Sequence, residues 1–310
     1  MPVLNVNDDV ERVSGAEPEP LPAVKSVSRR PRVFPVCANP RCTSSWLQLW
    51  RNRRVPVVEG GWLCSPACTR ARTEDLLRRE YAEARPATPH RHRVPIGLVL
   101  LRQGWIRQEH LKDALEAQRR GSRLRVGEWL VANRGLSEMQ LTQALGLQWG
   151  CPIFSLEQHA SALPVTLIPR LITESFGFVP LRISPLGRVY MAFEDRIDHS
   201  LALAVERMTG FDAVQGLLPT SEFAVAQRKH AESRFSRARL IEAGSADLLA
   251  EAFALHIEKE KPTEARLVRV HDLLWLRLWR YAERSDASGT LGTAQGNGIG
   301  DVIGSITSFS

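Results

Sequence analysis

The chain has 310 residues, 41 Lys plus Arg against 34 Asp plus Glu, a net charge of +7, and 44% hydrophobic residues. That length and apolar share suit two small domains, or one domain with extensions, built on a real core. No apolar run approaches the roughly 18–20 residues of a membrane span, and the first residues do not read as a signal peptide, so a cytoplasmic protein with no membrane span is expected.

In chain order, residues 1–32 are rich in Pro, Glu, Val and Ser, lack periodicity, and are expected to be disordered. Residues 33–84 hold four of the five Cys. Residues 85–93, with Pro86 and Pro89, read as a linker. The charge is local to this stretch. Fourteen Arg and five acids lie between Arg29 and Arg93, a net +9, which leaves −2 for the rest of the chain. Such an excess attracts nucleic acid, anionic lipid or an acidic partner; a solvated face, or the Arg usage of a GC-rich genome, is the plainer explanation.

The cysteines fall as Cys37-x4-Cys42 and Cys64-x3-Cys68, with 21 residues between the pairs. Two close pairs a few tens of residues apart are the spacing of a structural zinc site, each pair supplying half of a tetrahedral shell. Asn39 and Pro40 mark a turn inside the first pair. Residues 55–58 and 62–63 read as two short strands around a turn at 59–61. Ser65 then reads as an N-cap with Pro66 at the first helical position, so Cys68 falls in the first turn, where a thiolate is favoured. The order of knuckle, hairpin and Cys-bearing helix resembles a treble-clef zinc finger. Two disulfides, or buried thiols without metal, are the alternatives; with no secretory signal, disulfides are disfavoured. His90 and His92 are not needed to complete a four-Cys shell. Cys151 stands in an apolar context and reads as core.

A repeat with a 30-residue period follows. The first unit carries Gly97, Leu100, Gly104, Leu111, Leu115 and Gln118. The second carries Gly127, Leu130, Gly135, Leu141, Leu145 and Gln148. Gly97 and Gln118 are 21 residues apart, as are Gly127 and Gln148. Leu111, Leu115 and Gln118 share one helix face, and Leu141, Leu145 and Gln148 repeat it. Each unit is therefore expected to be a short helix, a Gly break and a longer helix.

This tandem pattern resembles the N-terminal domain of type II secretion and type IV pilus assembly ATPases (GspE/PilB-like), in the MshE-type form that binds cyclic di-GMP. The resemblance covers about residues 94–232 and continues through Cys151, Pro152, Ile168, Phe178, Val189 and Gly210 in the family's order. It implies a cyclic di-GMP site built from Gly97, Leu100, Gly104, Leu111, Gln118, Arg125, Gly127, Leu130, Leu141 and Gln148. The glycines would let backbone approach the ligand, Arg125 would stack on it or pair with it, the glutamines would hydrogen-bond it, and the leucines would form an apolar bed. Two departures stand out. The motif Arg of the first unit is Pro95, which has no cation to offer. In the second unit Arg134 occupies the place of the second motif Gly, and Gly135 follows. A scaffold that keeps the fold without the nucleotide is the alternative.

Beyond residue 150 the pattern turns α/β. Strands are expected at 188–193 and 212–218 and helices at 200–209 and 221–233. Residues 235–283 read as a helix followed by a hairpin turning at His271 and Asp272, with Trp275 and Trp279 on one strand face. The Gly/Ser/Thr-rich end, 284–310, is expected to be a flexible tail. The fold class is α+β: a small four-Cys zinc module, a helical tandem-repeat subdomain over 94–150, and a small α/β subdomain over 151–234.

No catalytic constellation is apparent. The five Lys, at 25, 112, 229, 259 and 261, never follow a Gly, which excludes the phosphate-binding loop of a P-loop ATPase. Asp195, Asp198 and His199 cluster after a strand, as loop residues commonly do. The resemblance then implies a non-enzymatic regulatory or adaptor protein that works with secretion or pilus apparatus proteins and a nucleotide second messenger. The alternative is a zinc-finger protein that binds nucleic acid through the basic segment 29–93.

Overall fold

The computed structural model describes residues 37–43, 55–82, 93–157, 167–233, 235, 238–280 and 299–307. The chain divides at residue 35, and all described residues belong to the second unit. The disordered segment expected at 1–32 lies outside the described residues, as do residues 85–92 of the expected linker.

The first elements are a hairpin, β1 (Val57–Val58) with β2 (Gly61–Trp62), and helix α1 (Pro66–Ala82). Glu59 and Gly60 both take positive φ, 49° and 72°, the double left-handed turn that suits a two-residue hairpin. Ser65 Oγ accepts from Cys68 N at 3.3 Å and caps α1 as its sequence predicts.

Four helices make the repeat: α2 (Ile96–Arg102), α3 (Gln108–Arg119), α4 (Val126–Arg134) and α5 (Glu138–Trp149). Gly104 and Gly135 both turn at φ 70°, breaking each unit where the repeat predicts. Ser137 and Gln140 form a capping box that starts α5. The core is a set of matched pairs 30 residues apart: Leu100 with Leu130, Ile106 with Leu136, Ala114 with Ala144. Helix α2 packs on α5 and α3 on α4, so exchanging the two units maps one contact onto the other, which is a two-fold relation.

The α/β subdomain holds α6 (Arg170–Ser175), β3 (Phe178–Ile183), β4 (Arg188–Phe193), α7 (His199–Thr209), β5 (Asp212–Leu217) and α8 (Thr220–Ala231). Its sheet runs β3-β4-β5, with β3 antiparallel to β4 and β4 parallel to β5 across α7. Leu145, Trp149 and Cys151 pack against its core, so the second repeat unit seats the subdomain.

The last part corrects two expectations. Strand β6 (Ala238–Ala243) precedes α9 (Ala246–Glu260), and β7 (Glu264–Val270) and β8 (Leu273–Trp279) form the expected hairpin. A further strand, β9 (Ile299–Ile306), completes a sheet of order β6-β9-β8-β7. Residues 299–306 are therefore not a flexible tail but an interior strand, with Val302 and Ile303 fully buried. Gly304 misleads in sequence: a Cβ there would lie 2.6 Å from Phe253 and 2.8 Å from Leu249, so the glycine admits α9 onto the sheet. Trp275 is core and donates to Asp301 at 2.8 Å.

The zinc-finger-like module is not a separate body. Helix α1 packs along α9, and one apolar cluster runs from Cys37, Leu63 and Leu77 to Phe253, Leu276 and Val302. Backbone bonds from Val57 N to Pro262 O (3.1 Å) and from Glu59 N to Ala265 O (2.8 Å) lay the hairpin on the edge of β7. Among the described residues no helix is long and apolar enough to cross a membrane.

Candidate functional site

Two constellations stand out. In the first, the four Sγ atoms of Cys37, Cys42, Cys64 and Cys68 lie within 4.8 Å of one another. Cys64 Sγ is 3.5 Å from both Cys42 and Cys68. A tetrahedral zinc with bonds of about 2.3 Å sets sulfurs roughly 3.8 Å apart, so the cluster has the size of a four-thiolate shell. The turn inside the first pair is closed by Asn39: its Oδ1 accepts from Arg41 N at 3.0 Å, and its Nδ2 donates to Cys68 Sγ at 3.3 Å. Such an outer hydrogen bond favours the thiolate that a metal needs. Burial pushes the Cys37 thiol up to about 12. Burial acts the same way on Cys68, but hydrogen bonds with Ser65, Asn39, Cys64 and Cys42 together outweigh it and bring that thiol to about 7. None of the five Cys is in a disulfide, and Cys151, half-buried, is raised to about 11 by burial. The donor set fits a structural metal ion.

The second constellation lies on the repeat, and here the residues expected to meet a ligand divide. Gly97 and Gly127 are buried. A Cβ at Gly97 would stand 2.5 Å from Leu111 Cδ1, and one at Gly127 would stand 2.5 Å from Leu141 Cδ1. The space that these glycines leave is filled by the protein's own leucines. Leu100 and Leu130 are fully buried and offer no surface. Gly97, Leu100, Gly127 and Leu130 thus serve the packing of the repeat, and Leu111 and Leu141 cover the two glycines while staying half-buried. Gly104 faces open space, and Gln118 is exposed. Gln148 donates to Val94 O at 2.7 Å and ties α5 to the start of the repeat. Arg93 stacks on Trp149, its guanidinium 3.1 Å from the ring centre.

Arg125 is exposed and sits between two carboxylates. Its backbone N and Nε donate to Glu128 at 2.9 and 2.8 Å, and its Nη1 meets Asp195. Glu128 follows by one helical turn and was open to sequence reasoning as a capping residue. Asp195, one of the cluster read after that strand, comes from the loop after β4, 70 residues away, and no local signal pairs it with Arg125. Arg134, in the place of a motif Gly, pairs with Asp113 of the first unit. Asp198 caps α7 by accepting from Leu201 N at 3.0 Å, and its other oxygen meets His271 Nε2. The acidic loop thus joins subdomains.

The basic segment looks different in three dimensions. Of its fourteen Arg, six are described, and each has an intramolecular partner. Arg41 pairs with Asp75, Arg70 with Glu74, Arg72 with Glu59, and Arg78 with Asp75. Arg79 clamps Glu59 through two bonds of 2.6 Å, and Arg93 stacks on Trp149. Glu80, at the end of α1, is buried and accepts from Arg207 of α7 at 2.7 Å and from Arg269 N of β7 at 3.0 Å. Burial works to raise its carboxyl, but Arg207, the Arg269 amide and Arg79 together hold it below the usual carboxylate range.

No protein-family model matches the chain, and no curated protein matches it. Among solved structures the chain is similar to MshE with c-di-GMP, at 23% identity over 44% of this chain and 99% of that one, with a TM-score of 0.37. It is also similar to the N-terminal domain of XpsE. One crystal form gives 20% identity over 43% of this chain and 92% of that one, with a TM-score of 0.32. A second form gives 20% over 47% and 97%, with a TM-score of 0.26.

Proposed function

We propose that this chain is a non-enzymatic regulatory or assembly protein that works with a secretion or pilus apparatus, and that its paired repeats bind cyclic di-GMP. The observation that carries this reading is the tandem motif, with Arg125 exposed at its surface between Glu128 and Asp195. Guanine carries donors on its N1 and N2 edge and acceptors at O6 and N7. Carboxylates accept from the first set, and a guanidinium donates to the second or stacks on the ring. Gly104 and Gln118 remain exposed for contact; the buried glycines and leucines hold the platform. We read zinc as the metal of the four thiols, acting as a staple for a module too small to fold on its own core.

The nucleic-acid alternative has less support, because the described Arg of the basic segment are already paired. Calorimetric titration of the full chain with cyclic di-GMP tests the proposal. Saturable binding in the wild type, lost in Arg125→Ala, is expected. Binding unchanged in Arg125→Ala would remove this site. No binding at high micromolar ligand, in wild type and Pro95→Arg alike, would leave the repeat as a scaffold.

A further inference from the structure

A pocket of about 400 Å³ opens in the α/β subdomain, and none of its lining residues belongs to the repeat or to the four-Cys module. Its walls are α6 and α8, and Phe178 and Val179 of β3, both buried, make its floor. His230 of α8 lines it and is 8% exposed, yet its Nε2 has no hydrogen-bond partner. A buried polar atom left unpaired is costly and rare in a folded protein. The ring stands edge-on against Phe235, with centroids 4.7 Å apart. The charged groups that act on it are Arg170 and Glu174 of α6, on the other wall of the pocket. Burial and Arg170 push the imidazole down to about 4, against the smaller pull of Glu174, so the ring is neutral at pH 7.

The charge of the lining narrows the ligand. It holds two cations, Arg170 and Arg228, and one acid, Glu174. Glu174 is already engaged, because Arg170 Nε donates to it at 2.6 Å. Arg228, exposed on α8, is then the cation for which the lining supplies no acid. A neutral imidazole with its proton on Nε2 is a donor in want of an acceptor. The pocket therefore combines a buried donor, a spare cation at the mouth and an apolar floor. A carboxylate answers the first two, and an apolar body suits the third. The volume lies toward the small end of the range for sites that take small molecules.

We propose that this pocket binds a small organic carboxylate, held by His230 Nε2 and Arg228, with its apolar part against Phe178 and Val179. The site is separate from the repeat, so it stands or falls independently of the nucleotide reading.

The test titrates the full chain with phenylacetate and with its neutral analogue phenylacetamide, read by calorimetry and by the NMR signals of the histidine ring nitrogens. Phenylacetate should saturate at millimolar concentration or below and shift the His230 ring signals. Phenylacetamide should bind roughly tenfold more weakly, since it lacks the charge that strengthens both bonds. His230→Phe, which keeps a ring beside Phe235, should remove binding. Arg228→Gln, a change at an exposed residue, should weaken phenylacetate by roughly tenfold and leave the unfolding midpoint where it was. No saturation at about 10 mM, or His230 signals that stay in place, would overturn the proposal and mean that the pocket holds water alone. Equal affinity for the amide would overturn the carboxylate class, and binding unchanged in either variant would overturn the site. If His230→Phe does not fold, the wild-type ring signals and Arg228→Gln decide.

Discussion

In the C-terminal sheet, Arg277 and Asp301 face each other with 1% and 3% of their side chains exposed, bonded at 2.7 and 3.0 Å. In the repeat, Arg125 and Asp195 meet with 59% and 35% exposed. The two regions use glycine alike, Gly304 under Phe253 and Gly97 under Leu111, to bring elements close. They use charge differently. Charges in the sheet, together with Glu80, are sealed in and hold strands, α1 and α7 in register. Charges on the repeat are on show, so a ligand can take them over at little cost to the fold.

Changes in the first region should therefore act on stability, and changes in the second on binding. The largest effect is expected at the metal cluster. One zinc per chain should be found in reduced protein, and Cys64→Ser should lose it. Structural zinc is worth about 10–16 kcal/mol of apparent binding in small peptides, so residues 37–82 should unfold. Because α1 shares a core with α9, hydrogen exchange should also rise in α9 and β7. Protection unchanged outside the module would mean that it is a separate body after all.

Next comes Asp301→Ala, which strands a buried guanidinium and should cost about 3–5 kcal/mol in denaturant unfolding. A cost near that of a surface pair would break the comparison. Glu80 should give the region its acid sensitivity. Its folded carboxyl sits below its unfolded value, so its contribution is complete above the ordinary carboxylate range and fades as pH falls through the folded value. Glu80→Gln should flatten the pH dependence of stability in that window. An unchanged acid profile would show that the hub contributes nothing.

Gly97→Ala and Gly127→Ala should each cost about 1–3 kcal/mol, and by similar amounts, since each new Cβ meets the equivalent leucine at the same distance. Unequal costs would show that the two-fold relation does not extend to the packing energy. The smallest stability effect is expected from Arg125→Ala, less than about 1 kcal/mol, because its partners are exposed carboxylates. That variant should nonetheless lose cyclic di-GMP.

Much of this architecture was legible in sequence because its signals are local. Leu111 and Leu115 show a helix by spacing, Ser65 and Pro66 show where α1 starts, and two Cys pairs show a four-thiol cluster. What was not legible is held together across the chain. Strand β9 finds its partners at Ala238–Ala243 and Leu273–Trp279, while its own glycines read as linker. The docking of the module on α9 joins residues nearly 200 apart, and sequence shows only a Pro-containing linker. At the candidate site, Arg125 was named from the motif, but Asp195 was not, since 70 residues separate them. Gly97 shows the same limit, because a glycine that admits a ligand and one that admits a leucine look the same in sequence.

The central claim is that a guanine cyclic dinucleotide sits on the exposed end of the paired repeats. Hydrogen exchange of the full chain with and without saturating cyclic di-GMP tests it most directly. Added protection is predicted around residues 125–128 and 194–198, with residues 37–82 and β6 to β9 unchanged. Protection absent from the repeat, or centred on the four-Cys module, would contradict it.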